Sequence, residues 1–343
     1  MPAFTSGDSQ LCIYQSSTEL RIPVLFFFTI MIANTQTHSQ LLKSLDEVGA
    51  LVGNTPLMPI RNVWRHHKVQ LFAKLEWHQL GQSVKARAAY YIIRDALLSG
   101  KWYPGKRLLD ATSGNTGIAY ASIAARLSVP LTICLPQNAS TERKQILKAL
   151  GAELIYTSPL ESTDGSQDRA KALAEGEPEK YLYLDQYNND QNWKAHYYTT
   201  GQEVYHQTQG AITHFATGLG TSGTFMGTSR RLKEINPAIQ VVSMHPESVL
   251  HGLEGWKDMA TAKIPGIYDP SLADERLAVS TEEAYDFVER FAKAEGMLIS
   301  PSAGANLAGA IKLAKTLEEG IIVTVFPDDY SKYSEVIQQI FPS

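Results

Sequence analysis

The stretch LLDATSGNTGIAYASIAARL, residues 108–127, opens as a short apolar run that ends at Asp110. It passes through a turn of hydroxyls, glycines and one asparagine, then continues as an alanine-rich helical pattern. A buried strand feeding a helix through such a turn is the repeating unit of an α/β fold. The turn also carries chemistry. Thr112, Ser113 and Thr116 supply hydroxyls, Asn115 an amide, and the glycines let backbone N–H groups turn toward a ligand. At the N-terminus of a helix, these groups are suited to an anion.

The alternation extends both ways. VQLFAKLE (69–76) reads as a strand and SVKARAAYYIIRDALLSG (83–100) as a helix stopped by Gly100. PLTICLP is a second short buried strand. STERKQILKALGA offers Ser140 and Thr141 as caps and Gly151 as a stop before the strand ELIYT. Further on, THFATG, QVVSMHP and IIVTVFP read as strands. GTFMGTSRRLKEIN, TEEAYDFVERFAKAEG and NLAGAIKLAKTLEEG read as helices. The polar run 161–180 is expected on the surface. Strands alternating with helices predict parallel sheets covered on both faces. Two such runs predict two lobes with a ligand cleft at the strand C-termini.

The chain has 343 residues, 44% of them hydrophobic, enough for two cores. A net charge of −4 without a long basic run argues against nucleic acid as the main partner. The two cysteines, Cys12 and Cys134, make no disulfide framework, and no His/Cys spacing suggests a metal. A reducing, cytoplasmic compartment is expected. IPVLFFFTIMIA (22–33) is apolar but too short to span a bilayer, and it lacks the basic flank of a signal peptide. With Met31 inside it, residues 1–43 are expected to be a dispensable, poorly structured extension, and no membrane association is expected.

Three further motifs carry chemistry. GLGTSGT (218–224) follows a strand and opens a helix. Gly218, Gly220 and Gly223 match a dinucleotide fingerprint, with Glu247 as the acidic residue in range, so a nicotinamide oxidoreductase is one candidate. Thr221, Ser222 and Thr224 suit a compact phosphate monoester better. In GQSVKARAA (81–89), Lys85 starts a helix among small and apolar residues, where charge and burial both lower an amine pKa. That is the condition for a Schiff-base lysine. Two anion sites and such a lysine fit pyridoxal phosphate holding an amino acid. SPSAGAN (300–306) reads as a capping turn and AHYYTTG (195–201) as packing. The histidines show no metal spacing.

The set GNTPL (53–57), SVKARAA, TSGNTG, LDQYNN (184–189), THFATGLGTSGTFMGT and SPSAGAN resembles the cysteine synthase/cystathionine β-synthase family from about Leu51 to Tyr333. HYYTTG and IPGIYDPSLADE (264–275) bring it closest to the cysteine synthase B-like branch. The resemblance implies a fold-type II, two-lobed tryptophan synthase β-like α/β fold with two parallel or mixed sheets flanked by helices. The lobes are expected at 44–190 and 191–343. It implies pyridoxal 5'-phosphate as cofactor, a homodimer, and an amino acid with sulfide or a small thiol as substrates.

By motif position the resemblance makes Lys85 the lysine that binds the cofactor and shuttles the proton at Cα. Asn115 meets the phenolic oxygen, Gly220, Thr221, Ser222, Gly223 and Thr224 hold the phosphate, and Ser302 faces the pyridine nitrogen. Thr112, Ser113, Thr116 and Gln186 bind the substrate carboxylate. A hydroxyl at the ring nitrogen favours loss of a β-substituent over transamination or racemisation. The expected reaction is β-replacement on O-acetylserine or O-phosphoserine. Cystathionine, cyanoalanine or diaminopropionate formation, and a non-catalytic scaffold, stand as alternatives. Ala86 replaces a frequent Asp, Ser302-Ala303-Gly304 replaces SSG or STG, and FPDDYSKY (326–333) departs from the usual C-terminal signature, though Asp328 and Tyr333 remain. Lys257 or His251, in HGLEGWKDM (251–259), would favour an anionic leaving group unless that loop is merely solvated.

Overall fold

The computed structural model describes residues 38–112 and 114–341. The apolar segment 22–33, Cys12, Met31 and Ser113 lie outside the described residues. The described residues form two sheets.

The smaller sheet contains β3 (Arg107–Ala111), β4 (Leu131–Pro136), β5 (Glu153–Thr157) and β6 (Tyr181–Tyr183), ordered β5-β4-β3-β6 and parallel throughout. Every residue of β4 is buried, as expected of a strand covered on both faces. Successive side chains of β3 point to opposite faces. Leu108 packs with α1 (His38–Gly49), α2 (Lys85–Leu98) and α3 (Asn115–Leu127). Leu109 and Ala111 pack on the other side with Ala170 of α5 (Ser162–Gly176). The polar run 161–180 is therefore largely helical, with Ser166, Gln167 and Ala170 turned inward.

The larger sheet holds β1 (Leu57–Ile60), β2 (Val69–Leu75), β7 (His214–Gly218), β8 (Gln240–Pro246), β9 (Glu275–Val279) and β10 (Gly320–Phe326) in the order β1-β2-β10-β7-β8-β9. Only the edge pair β1–β2 is antiparallel, so the sheet is mixed. One face packs on α9 (Thr281–Glu295) and α10 (Pro301–Ala314), the other on α8 (Gly223–Ile235). The remaining helices are α4 (Thr141–Ala149), α6 (Gln191–Tyr198), α7 (Thr200–Gln207) and α11 (Ser334–Ile340).

The observed elements do not follow the expected boundaries one for one. β1 and β2 belong to the sheet built mainly by the C-terminal half, because β10 pairs with β2 from Gly320↔Val69 to Phe326↔Leu75. A division at residue 190 is thus not the division between sheets. Helix α1 begins at His38 and buries Leu41, so the fold starts inside the segment expected to be an extension. Helix α10 also begins earlier than the apolar pattern suggests, at Pro301. The Ser300 hydroxyl caps it by accepting from Ala303 N–H at 3.2 Å. Among the described residues no helix is long and apolar enough to cross a membrane.

Candidate active site

The C-terminal ends of β3, β7 and β10 converge on a cavity of about 220 Å³ between the two sheets. The described residues to which the resemblance gives cofactor or substrate roles border it: Lys85, Thr112, Asn115, Thr116, Gln186, the Gly220–Thr224 loop and Ser302. Ser113 lies outside the described residues.

The first anion turn follows β3 and opens α3, whose N-cap is Gly114. Thr112 N–H donates to Cys134 O at 3.0 Å, continuing the sheet ladder into the turn. Gly114 N–H donates to Thr112 Oγ1 at 3.2 Å. Thr116 Oγ1 donates to Gln186 Oε1 at 2.7 Å, and Gln186 Nε2 donates to Ala111 O at 3.2 Å. The carboxylate-binding candidates thus hold one another across the sheet. Beneath them lies Asp110, fully buried, which accepts from Ala111 N–H at 2.7 Å. Burial pushes its carboxyl up to about 7 against the pull of that N–H.

The second anion turn follows β7. Ser222 caps α8 with a left-handed φ of 69°, uncommon for a non-glycine residue. Its hydroxyl is buried without a partner among the described residues. A buried orphan donor on a strained helix start is what a phosphate would satisfy. Asn192 Nδ2 fixes the neighbouring hydroxyl by donating to Thr221 Oγ1 at 3.0 Å. Thr224 Oγ1 lies 3.3 Å from Nε2 of the buried His196. Gly220 is required sterically, since a Cβ there would strike the carbonyl oxygen of Gly255. Gly220→Ala should lower cofactor affinity at least about tenfold and cost about 1–3 kcal/mol through overpacking. Fluorescence titration and urea denaturation measure the two effects.

Between the turns lies Lys85, the first residue of α2. Burial lowers its amine pKa, against the raising influence of Asp328 and Glu76. Asn115, at the start of α3, donates one amide N–H to Asp328 Oδ2 at 2.8 Å, leaving the other for a ligand oxygen. Ser302 sits in the first turn of α10, 5% exposed, its Oγ 3.1 Å from Ser300 Oγ. Orphan hydroxyl, half-occupied amide and desolvated amine together fit pyridoxal phosphate. Glu247, needed by the dinucleotide alternative, is exposed and does not border the cavity.

Two features, Asn306 and Arg143, had no clear sequence signal, and Lys257, which did, is placed differently from expectation. Asn306 closes the motif SPSAGAN, but its role emerges only here. Its Oδ1 accepts from Gly218 N–H at 2.7 Å and its Nδ2 donates to Val325 O at 2.7 Å, tying α10 to both β7 and β10. Arg143 forms a bidentate pair with Glu254, at 2.6 and 2.7 Å, across the mouth of the cavity. Lys257 borders the cavity but is held by Asp164 at 3.3 Å and lies over the Tyr187 ring. Arginine and glutamate in a polar stretch look like solvated charges until the fold brings them together.

Comparisons with known proteins bear on the family and the fold. A family model described as pyridoxal-phosphate dependent enzyme matches residues 48–328. A cysteine synthase of Aquifex aeolicus is 47% identical over 298 residues, covering 85% of this chain and 91% of that one. A cysteine synthase B of Pseudomonas aeruginosa is 40% identical over 285 residues, covering 82% of this chain and 93% of that one. The crystal structure of O-acetyl serine sulfhydrylase isoform 3 from Entamoeba histolytica has a TM-score of 0.80 at 29% identity, covering 86% of this chain and 91% of that one.

Proposed function

The chain belongs to the pyridoxal-phosphate dependent enzyme family, and from that premise we propose that it converts O-acetyl-L-serine and sulfide into L-cysteine and acetate. The observation that carries this reading is the desolvated amine of Lys85 opening onto the same cavity as two anion-binding helix N-termini.

When bound, the cofactor supplies an aldehyde for an amine and a conjugated ring that withdraws electrons from Cα. The chain's own residues do the rest. The Gly220–Thr224 loop binds the phosphate through N–H and hydroxyl groups. The Thr112–Thr116 turn and Gln186 bind the substrate α-carboxylate, and Asn115 orients the ring through its free amide N–H. Ser302 offers the ring nitrogen a neutral hydroxyl, which limits carbanion lifetime and favours departure of the β-substituent. Neutral Lys85 takes the α-proton and later returns it to Cα.

Charge at the site favours an uncharged leaving-group ester. The two helix N-termini match two anions, the cofactor phosphate and the α-carboxylate. Among the described cavity-lining cations, Arg143 is neutralised by Glu254 and Lys257 by Asp164. No unpaired cation besides Lys85 is left for a phosphate leaving group. O-Acetylserine should therefore exceed O-phosphoserine in kcat/KM by at least about 10²-fold, near 3 kcal/mol for an unpartnered buried charge. Steady-state cysteine formation with each donor measures it, and a preference for O-phosphoserine would reverse the assignment.

The reading extends to a homodimer in the cytoplasm, as the resemblance implies, and sedimentation equilibrium tests the dimer. Borohydride treatment of the yellow protein, followed by peptide mapping, should fix the cofactor on Lys85. Fixation elsewhere would overturn the functional reading.

A further inference from the structure

We propose that Asp328 is a positioning residue for this reaction, holding Asn115 in place and giving the Lys85 amine a fixed negative neighbour. The proposal rests on the β-replacement reading for its kinetic consequence, but not for its geometry. Asp328 follows β10 by two residues, in a segment that differs from the family's usual signature although Asp328 and Tyr333 themselves remain. Val84 N–H donates to Pro327 O at 2.8 Å, so the backbone before Lys85 lies against the backbone before Asp328.

The Asp328 carboxylate is fully buried. Its Oδ2 accepts from Asn115 Nδ2 at 2.8 Å and from Tyr333 Oη at 2.7 Å. Its Oδ1 is buried with no hydrogen-bond partner among the described residues. A buried carboxylate oxygen without a partner is costly, so a nearby cation or donor is needed to compensate it. Lys85 is a cation whose charge Asp328 feels without an ion pair between them among the described residues. Tyr333 in turn packs under the guanidinium of Arg143, 5.0 Å from its ring centroid. The pair Arg143–Glu254 at the mouth is thereby connected through Tyr333 and Asp328 to Asn115 at the cofactor ring.

The groups facing Lys85 come from three elements. Asp328 lies beyond β10, Glu76 just past β2, and His196 on α6. His196 is held neutral by burial, and Glu76 is occupied by the bidentate bonds of Arg87. Asp328 is the carboxylate still offering a free oxygen. Arg143 and Tyr333 are the other groups facing it. A negative neighbour makes Lys85 a stronger base than burial alone would leave it, and so a better proton acceptor at Cα.

The test reads the basicity of Lys85 directly. In the full-length chain freed of cofactor, Lys85 is acetylated at a series of pH values and its peptide quantified by mass spectrometry. Asp328→Asn and Asp328→Ser should both move the labelling midpoint to lower pH, while Asp328→Glu and Tyr333→Phe, which keep the charge, should stay close to wild type. In the loaded enzyme, Asp328→Asn should lower kcat about tenfold on the plateau, as expected for a weaker general base. It should also move the acid limb of the rate profile to lower pH. If either charge-removing variant folds, by circular dichroism, and labels with the wild-type midpoint, the proposal is overturned. Failure of both to fold, with Asp328→Glu also failing to label as wild type, overturns it equally, by reducing Asp328 to a structural part. A wild-type enzyme that makes no cysteine would refute the β-replacement reading and leave the labelling result standing.

Discussion

Lys85→Ala should lower kcat/KM for O-acetylserine by about 10³–10⁴-fold, the range for losing a positioned acid–base group and covalent anchor. The fold should survive it. Lys85 is half-buried, makes no ion pair among the described residues, and sits at the positive end of α2, where its charge is unfavourable. A melting temperature within a few degrees of wild type, with the visible cofactor band lost, is the expected pair of results. The pH profile has a definite sign. Because burial lowers the amine pKa, the neutral form is reached at a lower pH than for a solvated lysine. Activity should rise with pH through that lowered value and hold above it. Full retention of activity in Lys85→Ala would remove the chemical basis of the assignment.

The second large effect concerns stability. Arg87, two residues beyond Lys85 on α2, is fully buried. It meets Glu76 at 2.7 and 2.9 Å and Glu203 at 2.6 and 2.8 Å. Lys74 pairs with Glu203 at 2.7 Å and also donates to Thr55 O. Two cations and two carboxylates, from β2 and the residue just past it, α2 and α7, thus neutralise one another beside Lys85. Removing one partner leaves an uncompensated buried charge, so Arg87→Ala should cost about 3–5 kcal/mol in urea denaturation. A cost below about 1 kcal/mol would mean that water reaches the cluster.

The same cluster sets an acid limit. Burial pushes Glu203 up, but the hydrogen bonds and charge of Arg87, with Lys74, outweigh it and hold the carboxyl down at about 2. A carboxyl depressed in the folded state stabilises above its unfolded pKa and loses that stabilisation as pH falls toward the folded value. The window runs from the ordinary glutamate value of 4.5 down to about 2. Across it, stability should drop by about 3 kcal/mol on this account, and Glu203→Gln should flatten the loss.

The two βα turns and the lysine could be read from sequence because each is contiguous. A few residues fix a helix start, its N–H groups and its hydroxyls, whatever surrounds them. The polar helix α5 was not legible, since its pattern of Ser, Asp, Gly and Gln gives no apolar stripe, and its inward face is made by Ser166, Gln167 and Ala170. Strands β6 and β9 are short and half-buried, too brief to stand out from turns.

By itself, the sequence determined the α/β class and, through its family motifs, the cofactor, and it singled out the two candidate anion turns and Lys85. These depend on local backbone geometry and on side-chain type. Only the tertiary structure decided that β1 and β2 join the C-terminal sheet, and that Arg87 meets Glu203. It also decided that Arg143 closes on Glu254 and that Asp328 reaches Asn115. Each of these joins residues over a hundred positions apart. A charge in a sequence reads as solvated until distant segments exclude water from it. Pairing strength depends on that exclusion and not on the residue alone.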